Sequence, residues 1–287
     1  MAGAARGEPF SFAAWGDVPY SRFERDIAAD MLAAQAAQPL AFSIHVGDIK
    51  SGSSPCDDAL LEDRHALLDA STHPVLLLAG DNEWADCSRP AAGGHAPFER
   101  LAAWRARFHG NGESLGQARL SPARQSCCPE NMRWRHGSVL FATLNVSGSP
   151  LPPGKPTRQL EAATLDWLDA AFSEAHAADA AAMVIVFHAN PRFEAYARGH
   201  GVKRYRALLD RLARKAAHFG RPLLLIHGDS HRYRVDQPLF DRKNGRYLDN
   251  VTRLETHGSP WLGWVRVDVD TATPGVFSFE PHTRRLP

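Results

Sequence analysis

The sequence is poor in two features, long apolar runs and an excess of charge of one sign. No apolar run among the 287 residues approaches the roughly 18 that cross a bilayer, so no membrane partner is expected. Lys plus Arg total 33 and Asp plus Glu total 32, which gives a net charge of +1. Because dedicated nucleic-acid binders are usually more basic, no nucleic-acid partner is expected. The apolar content of 44% and the absence of internal repeats predict one globular domain over 1–287.

Glycine and aspartate stand together four times, each time just after a run typical of a buried strand. These dipeptides are Gly16-Asp17, Gly47-Asp48, Gly80-Asp81 and Gly228-Asp229. A glycine lets the backbone turn sharply, so that each aspartate is aimed into a crevice at the end of its strand. One such pair is usually only a turn or a helix cap. Four of them, with His231 two residues after the last aspartate, indicate a shared metal centre.

Apolar runs of strand length alternate with helix-like stretches along the chain. Strands are predicted at 10–17, 41–48, 74–81, 133–148, 182–189, 222–228, 248–257, 261–270 and 275–281. Helices are predicted at 21–37, 57–71, 97–108, 158–178 and 204–219, and irregular structure at 109–132. Alternating strands and helices followed by antiparallel strands indicate an α/β fold, in which two sheets pack face to face with helices outside.

The four cysteines bear on the compartment. Cys56 and Cys87 each follow a Gly-Asp strand end within a few residues, so a disulfide between them is one of three pairings that stay open. Neighbours such as Cys127 and Cys128 rarely bond to each other. A Cys56–Cys87 bond would favour an oxidising compartment. The first ten residues are too short and too polar for a signal peptide, and the first predicted strand follows them at once. We therefore expect a mature form from which an export signal was removed, which slightly favours a periplasmic or secreted protein over a cytoplasmic one.

Six side chains at predicted strand ends could share metal ions, the carboxylates and imidazoles of Asp17, Asp48, Asp81, Asp229, His188 and His231. Carboxylate oxygens suit hard cations, and imidazole adds selectivity for transition metals. This is about the ligand set that a two-metal site needs, and such a site can hold a phosphoryl group and generate a hydroxide nucleophile. Taken alone, a strand-end histidine such as His188 is more often a structural residue.

The order of five sequence blocks resembles the calcineurin-like metallophosphoesterases. The blocks cover nearly the whole chain and are GDVPY (16–20), GDIK (47–50), GDNE (80–83), FHANP (187–191) and HGDSH (227–231). The resemblance implies a four-layer α/β/β/α sandwich of two mixed sheets. It also implies a dinuclear site that hydrolyses phosphomonoesters or phosphodiesters of small molecules.

The resemblance assigns a role to each aligned residue. Asp17 and His231 correspond to ligands of the first metal, and Asp48 corresponds to the bridging ligand. The ligands of the second metal, besides Asp48, correspond to Asp81, His188 and Asp229.

The chain departs from the family pattern at several positions. Pro19 stands where a histidine is usual, and the adjacent Tyr20 is either a ligand or a hydrogen-bonding neighbour of one. Asp81 replaces an asparagine ligand and Asp229 a histidine ligand, while Asn82 occupies the place of the catalytic histidine. Because anionic oxygen ligands favour harder ions, two divalent or trivalent ions are expected, Mn or Fe first, with Mg, Ca and Zn as alternatives.

The missing histidine leaves the general acid open. His227 is one candidate, and the alternative is that it is a buried structural residue. The sequence therefore predicts a metal-dependent phosphoesterase, with Asn82 and His227 as candidate catalytic residues. A phosphoesterase-like scaffold that binds a phosphorylated ligand or partner without efficient catalysis is the alternative. Four basic residues near the blocks are candidates to bind phosphate or to be solvated surface groups, namely Arg22, Lys50, Arg232 and Arg253.

Overall fold

The computed structural model describes residues 7–201 and 203–283. In these ranges the strands are β1 (Phe10–Trp15), β2 (Leu40–His45), β3 (Val75–Leu77), β4 (Ala123–Gln125), β5 (Cys128–His136), β6 (Val139–Leu144), β7 (Ala182–Phe187), β8 (Leu223–His227), β9 (Arg234–Asp236), β10 (Phe240–Asp241), β11 (Arg246–Tyr247), β12 (Val251–Glu255), β13 (Gly263–Val269) and β14 (Phe277–Thr283). The helices are α1 (Arg22–Ala36), α2 (Asp58–Asp69), α3 (Pro97–His109), α4 (Lys155–Ala177), α5 (Phe193–Ala197) and α6 (Arg206–Phe219).

The strands form two large mixed sheets, and β10 and β11 form a separate two-stranded sheet. The first has the order β14-β13-β1-β2-β3, and the second has the order β4-β5-β6-β7-β8-β12-β9. In the first sheet β1, β2 and β3 run parallel, and in the second β6, β7, β8 and β12 run parallel. The carboxyl ends of parallel strands lie at one edge of a sheet, which is where α/β folds bind ligands.

Three apolar cores separate four layers and confirm the predicted α/β/β/α arrangement. The central core lies between the sheets and contains stacked aromatic rings, with the Phe12 and Phe42 centroids 5.3 Å apart and the Phe12 and Phe141 centroids 5.5 Å apart. Helices α1, α2 and α3 cover the outer face of the first sheet, and α4 and α6 cover the second. On α6 the apolar stripe predicted from helical spacing is buried, including Leu208 and Leu212.

The structure corrects several predicted elements. The predicted strand 133–148 is a hairpin, because Gly137 takes a left-handed turn (φ 55°) between β5 and β6. Residues 109–132, predicted to be irregular, contain β4 and the start of β5. The strand within 248–257 is parallel to β8, not antiparallel, because the long segment 228–250 provides the crossover that a parallel neighbour requires. The short β9, β10, β11 and α5 were not predicted.

The disulfide between Cys56 and Cys87 is confirmed, with the sulfur atoms 1.99 Å apart. It joins the loop that leaves β2 to the loop that leaves β3. Cys127 and Cys128 are free, and their sulfur atoms lie 2.9 Å apart. None of the helices in the two described ranges has the length and apolar character needed to cross a membrane.

Candidate metal centre

The Gly-Asp pairs end their strands by leaving the sheet. Asp17, Asp48 and Asp229 adopt the left-handed conformation, with φ of 53°, 57° and 72°. Aspartate tolerates this region better than most residues because its short side chain bonds locally. The strands are therefore shorter than predicted, and each aspartate starts the loop instead of finishing the strand. This turn aims three carboxylates across the edge of the two sheets.

The glycines allow these turns to approach one another closely. A Cβ atom on Gly80 would lie 2.1 Å from the Asp48 backbone nitrogen and from its Oδ1. A Cβ atom on Gly228 would lie 2.1 Å from Asp17 Oδ2. Both contacts are far shorter than van der Waals distance, so only glycine fits at these positions. The four dipeptides found in the sequence thus form one packed cluster.

One half of the cluster, here called the Tyr20 side, comprises Asp17, Tyr20, Asp48 and His231. The Tyr20 hydroxyl donates to Asp48 Oδ2 at 3.0 Å and lies 3.2 Å from His231 Nε2. His231 Nε2 lies 3.4 Å from Asp17 Oδ1, while its Nδ1 donates to the Ser259 carbonyl oxygen. The predicted first-metal ligands are therefore brought together, with Tyr20 as their hydrogen-bonding neighbour.

The other half, here called the Ser149 side, comprises Asp81, His188, Asp229 and Ser149. His188 Nε2 lies 2.8 Å from Asp81 Oδ1 and 3.4 Å from Asp48 Oδ1. The Ser149 hydroxyl donates to Asp81 Oδ2 at 2.5 Å. The Asn190 backbone N–H donates to Asp229 Oδ2 at 2.8 Å. This half contains the three residues that the sequence assigned to the second metal alone.

Three buried ligand atoms in the cluster are poorly satisfied by the protein: Asp17 Oδ2 has no hydrogen-bond partner, and Asp81 Oδ1 and His188 Nε2 have only each other, 2.8 Å apart. Buried polar atoms are rarely left unpaired, so these three need an explanation. His188 donates from Nδ1 to the Val46 carbonyl oxygen at 3.0 Å, which is how proteins orient a histidine whose Nε2 binds metal. Bound metal ions would satisfy all three of these atoms.

The ligand atoms form two overlapping groups, each compact enough to hold one ion. Asp17, Asp48 and His188 form one group, and Asp81, His188 and Asp229 form the other. Within each group the candidate ligand atoms all lie within 4.8 Å of one another. His188 rather than Asp48 belongs to both groups, and the bridging role of Asp48 stays a prediction. The donors are mostly carboxylate oxygens, which fits an oxygen-preferring cation.

The electrostatics of the cluster reflect crowded negative charge. Burial raises the pKa of Asp48 well above its usual range, and the carboxylates of Asp81 and Glu83 raise it further. Burial alone would lower the pKa of His188, but Asp48 and Asp81 outweigh it and raise that pKa well above its usual value. Burial also raises the pKa of Asp229. Each shift expresses a site that favours added positive charge.

The Tyr20 hydroxyl is protonated in this setting. Burial raises its pKa, and the carboxylates of Asp48 and Asp17 act in the same direction. A protonated hydroxyl donates a hydrogen bond to Asp48, as the 3.0 Å contact shows. This geometry favours the neighbour role over the ligand role, the two alternatives that the sequence left open.

Asn82 and Glu83 hold the carboxylate of Asp48 and its turn in place. Asn82 donates from its backbone nitrogen to Asp48 Oδ1 at 2.9 Å and from Nδ2 to Asp48 Oδ2 at 2.6 Å. Glu83 Oε1 accepts from the backbone nitrogens of Gly80 at 2.6 Å and Asp48 at 3.2 Å. Asn82 is thus a positioning residue in this arrangement, and a direct catalytic role for it stays a prediction.

His227 is fully buried beside the cluster rather than exposed in it. Its ring stacks on Phe187 with centroids 5.9 Å apart, and Nδ1 lies 3.0 Å from the Gly228 carbonyl oxygen. Burial lowers the pKa of His227 to about 3, so its imidazole is neutral at ordinary pH. These contacts favour the buried structural role. Its proposed role as general acid stays a prediction.

Two of the candidate phosphate-binding residues are buried and bonded to other groups of the protein. Lys50 is buried and donates from Nζ to the carbonyl oxygens of Asn82 at 2.7 Å and Ser51 at 2.8 Å. Arg253 is buried and paired with Asp236 and Glu194. The Lys50 ammonium and the Arg253 guanidinium are therefore not available to bind a substrate phosphate.

Sequence reasoning missed the hydrogen bonds that loops supply to the cluster. Ser149 lies in a segment rich in Pro and Gly, and Ser259 lies between two predicted strands. The Asn190 contact is made by the backbone. None of the three contacts has a periodicity or motif that would reveal it. The position of Ser149 just after a strand end was the one usable signal.

Comparison with known proteins gives similarity in structure and none in sequence. No family model matches the chain, and no curated protein matches it. A structure of PhoD superposes with a TM-score of 0.57 at 13% identity, covering 96% of this chain and 68% of that one. The purple acid phosphatase PPD1 of yellow lupin (Lupinus luteus) gives 0.57 at 12% identity, covering 97% of this chain and 54% of that one. A Mycoplasma pneumoniae phosphatase gives 0.49 at 12% identity, with coverages of 97% and 94%.

At this level of identity the likeness to PhoD and to the lupin enzyme shows the fold alone. The chain has the fold of the calcineurin-like metallophosphoesterases. The resemblance predicted from the five sequence blocks is therefore confirmed for the fold, with low sequence identity to the solved structures.

Proposed function

We propose that this protein is a metal-dependent hydrolase of phosphoric esters. The observation that carries the proposal is the pair of overlapping Asp/His groups at the carboxyl edge of both sheets, in which buried Asp17 Oδ2 has no partner and Asp81 Oδ1 and His188 Nε2 have only each other. Solved structures of a PhoD and of a purple acid phosphatase have a similar fold. Fold alone does not determine activity, so the site geometry carries the argument.

The residues divide the proposed work. Asp17, Asp48 and His231 would hold one ion, and Asp81, His188 and Asp229 the other. When bound, the ions would neutralise phosphoryl oxygens and lower the pKa of a water for attack on phosphorus. We propose Mn or Fe, because four carboxylates make the ligand set harder than one built on imidazoles.

The lack of a histidine at position 82 shapes the expected chemistry. The Asn82 amide cannot donate a proton to a leaving alkoxide, and its Nδ2 is already bonded to Asp48 and to the Lys50 carbonyl oxygen at 3.0 Å. Without a strong general acid, the rate depends more on the acidity of the leaving alcohol. Aryl phosphoesters should therefore be better substrates than alkyl phosphoesters.

The test uses protein stripped of metal and reloaded with Mn or Fe, assayed on aryl and alkyl phosphomonoesters and phosphodiesters. Asp48→Ala should abolish both metal binding and turnover, because Asp48 contacts Tyr20 on its own side and His188 on the Ser149 side. Asp26→Ala, at an exposed aspartate on α1, is the matched control and should leave both unchanged. Full activity in Asp48→Ala would overturn the assignment.

A binding scaffold is the second candidate, and the departures at Pro19, Asn82 and Asp229 favour it. It predicts that a phosphorylated ligand binds but that no ester in the panel turns over. The disulfide between Cys56 and Cys87 supports a further part of the proposal, that the protein works in an oxidising compartment.

A further inference from the structure

A cavity of about 300 Å³ lies beside the Ser149 side, between the loop after β6, helix α4 and the start of α6. Its walls are mainly apolar and include Val146, Leu151, Leu160, Leu165 and Leu208. This volume is at the lower end of the range that small-molecule sites occupy. An apolar cavity of this size favours a compact apolar group over a bare phosphate or a sugar.

The cavity and the carboxylate cluster share a wall. Ser149 lines the cavity, and its hydroxyl donates to Asp81 Oδ2 at 2.5 Å. The preceding Gly148 lies so near the cluster that a Cβ atom there would be 2.7 Å from Asp229 Oδ1 and 2.8 Å from Asp81 Oδ1. A molecule that spans this short segment would have one end at the carboxylates and the other in the cavity.

The wall of the cavity also includes a buried acceptor without a partner. Asn145 lines it with 6% of its surface exposed, and its Oδ1 is buried without a partner. The orientation of the amide is fixed by its neighbours, because Nδ2 donates to Glu130 Oε1 at 2.8 Å and Glu130 is paired with Arg105. A ligand hydroxyl or amine would satisfy Oδ1, since an unpaired buried acceptor is costly.

The segment between cavity and cluster is braced from α6. The Tyr205 hydroxyl donates to the Ser147 carbonyl oxygen at 2.8 Å. Arg204 lies over the Tyr205 ring, 4.6 Å from its centroid, and donates to the Gly148 carbonyl oxygen. Arg204 is exposed and lines the cavity, so a cation lies at the cavity wall next to the segment that borders the carboxylates.

We propose that the cavity binds the organic part of the phosphoester substrate, a ring-sized apolar alcohol or phenol that carries one further hydrogen-bond donor. This inference rests on the proposed phosphoesterase function. Hydrolysis would form a bond from water oxygen to phosphorus and break the ester P–O bond. The ester electron pair stays with the organic oxygen, which takes up a proton, so the free phenol is the ligand left in the cavity.

The test compares 1-naphthyl phosphate with phenyl phosphate, whose leaving phenols are similarly acidic, on metal-loaded protein. Leu165→Trp fills the cavity from α4, and Ala162→Trp places the same ring on the exposed face of that helix as control. Wild type and Ala162→Trp should prefer the naphthyl ester by about tenfold in kcat/KM, and Leu165→Trp should lose the preference. Ala207→Trp, at an exposed position lining the cavity from α6, replaces Leu165→Trp if that variant does not fold.

Binding of 1-naphthol alone, followed by calorimetry, separates the two proposals. If naphthol binds wild type but not the filled variants while no ester is hydrolysed, the cavity proposal holds and the phosphoesterase function fails. If esters are hydrolysed with the same naphthyl-to-phenyl ratio in all variants, the cavity proposal is overturned. In wild type, kcat/KM for a hydroxynaphthyl phosphate should exceed kcat/KM for 1-naphthyl phosphate. Equal values for the two esters would show that Asn145 does not bind the added hydroxyl.

Discussion

The two halves of the candidate metal centre differ in how much of their hydrogen bonding the chain itself provides. On the Tyr20 side, both oxygens of Asp48 accept bonds, from Asn82 and from the Tyr20 hydroxyl. On the Ser149 side, Asp81 Oδ1 and His188 Nε2 lie 2.8 Å apart as an ion pair, and neither has any further partner. The contrast is therefore between two ligands: Asp48 accepts from protein donors at both oxygens, whereas Asp81 depends on Ser149 and on the imidazole of His188.

This difference bears on where positive charge is needed. Burial nevertheless raises the pKa of Asp48 well above its usual range, so its hydrogen bonds do not fully offset the cost of a buried charge. Burial also acts on Asp81, but the hydrogen bond and charge of His188 outweigh it and lower that pKa. The Ser149 side is also where aspartates stand in place of the asparagine and histidine of the family pattern. Both sides thus hold buried carboxylates in need of positive charge, and on the Ser149 side the imidazole of His188 supplies part of it.

The largest effect is expected from removing one carboxylate on each side in turn. Asp81→Ala and Asp17→Ala should each lose about one metal ion and lower kcat/KM by at least about 10³-fold, or about 4 kcal/mol of transition-state stabilisation. Elemental analysis and an aryl phosphate assay measure the two quantities. Asp166→Ala, at an exposed position on α4, is the control. Full metal content in either variant would remove that residue from the ligand set.

The disulfide links the two halves, because it joins the loops that follow Asp48 and Asp81. Replacing Cys56 and Cys87 together by serine opens a cross-link with a sequence separation of 31, which should cost about 3–4 kcal/mol in the free energy of unfolding. Urea unfolding with and without reductant measures this loss. Cys127→Ser, at a free exposed thiol, should change stability little. Equal stability of the double variant and wild type would show that the cross-link does not constrain these loops.

A smaller effect is expected on the Tyr20 side. Tyr20→Phe removes the hydroxyl that bonds Asp48 and contacts His231, and turnover should fall by about 10- to 100-fold while the metal content stays the same. Tyr247→Phe, at an exposed ring, is the matched control. Loss of a metal ion in Tyr20→Phe would instead identify Tyr20 as a ligand.

The smallest effect is expected at His227, which the contacts place outside the reacting groups. His227→Phe keeps the stacking with Phe187 and should change kcat/KM by less than about threefold, because the replacement is apolar and of similar shape. The pH profile of kcat/KM, recorded for wild type and for the variant, measures this change. Disappearance of one limb of that profile in the variant would support His227 as the general acid.

The layered fold and the grouping of the ligands could be predicted because both are encoded locally. A strand followed by Gly-Asp is a short-range signal, and all four aspartates reach the same edge of the sandwich. The parallel direction of β12 could not be predicted, because it depends on how the segment 228–250 crosses the sheet. The hairpin at Gly137 was missed because the residues on both sides of it have the same strand-like pattern.

The supporting contacts of the site were harder to predict than its ligands. Ser149, Asn190 and Ser259 reach the cluster from loops, and their partners are distant along the chain, as for Ser149 and Asp81, which are 68 positions apart. The burial of Lys50 and Arg253 was also missed, since charge in a sequence is usually a sign of the surface. Such contacts depend on tertiary packing and have no local signature.

The central claim is that the two halves hold metal ions for phosphoester hydrolysis. The most direct measurement is elemental analysis of protein purified without added metal, with turnover of aryl phosphates measured on the same sample. The account predicts about two equivalents of Mn or Fe per chain, and turnover that is lost on chelation and restored by the metal. Substoichiometric metal together with no turnover on phosphomonoesters, phosphodiesters or nucleotides would contradict it.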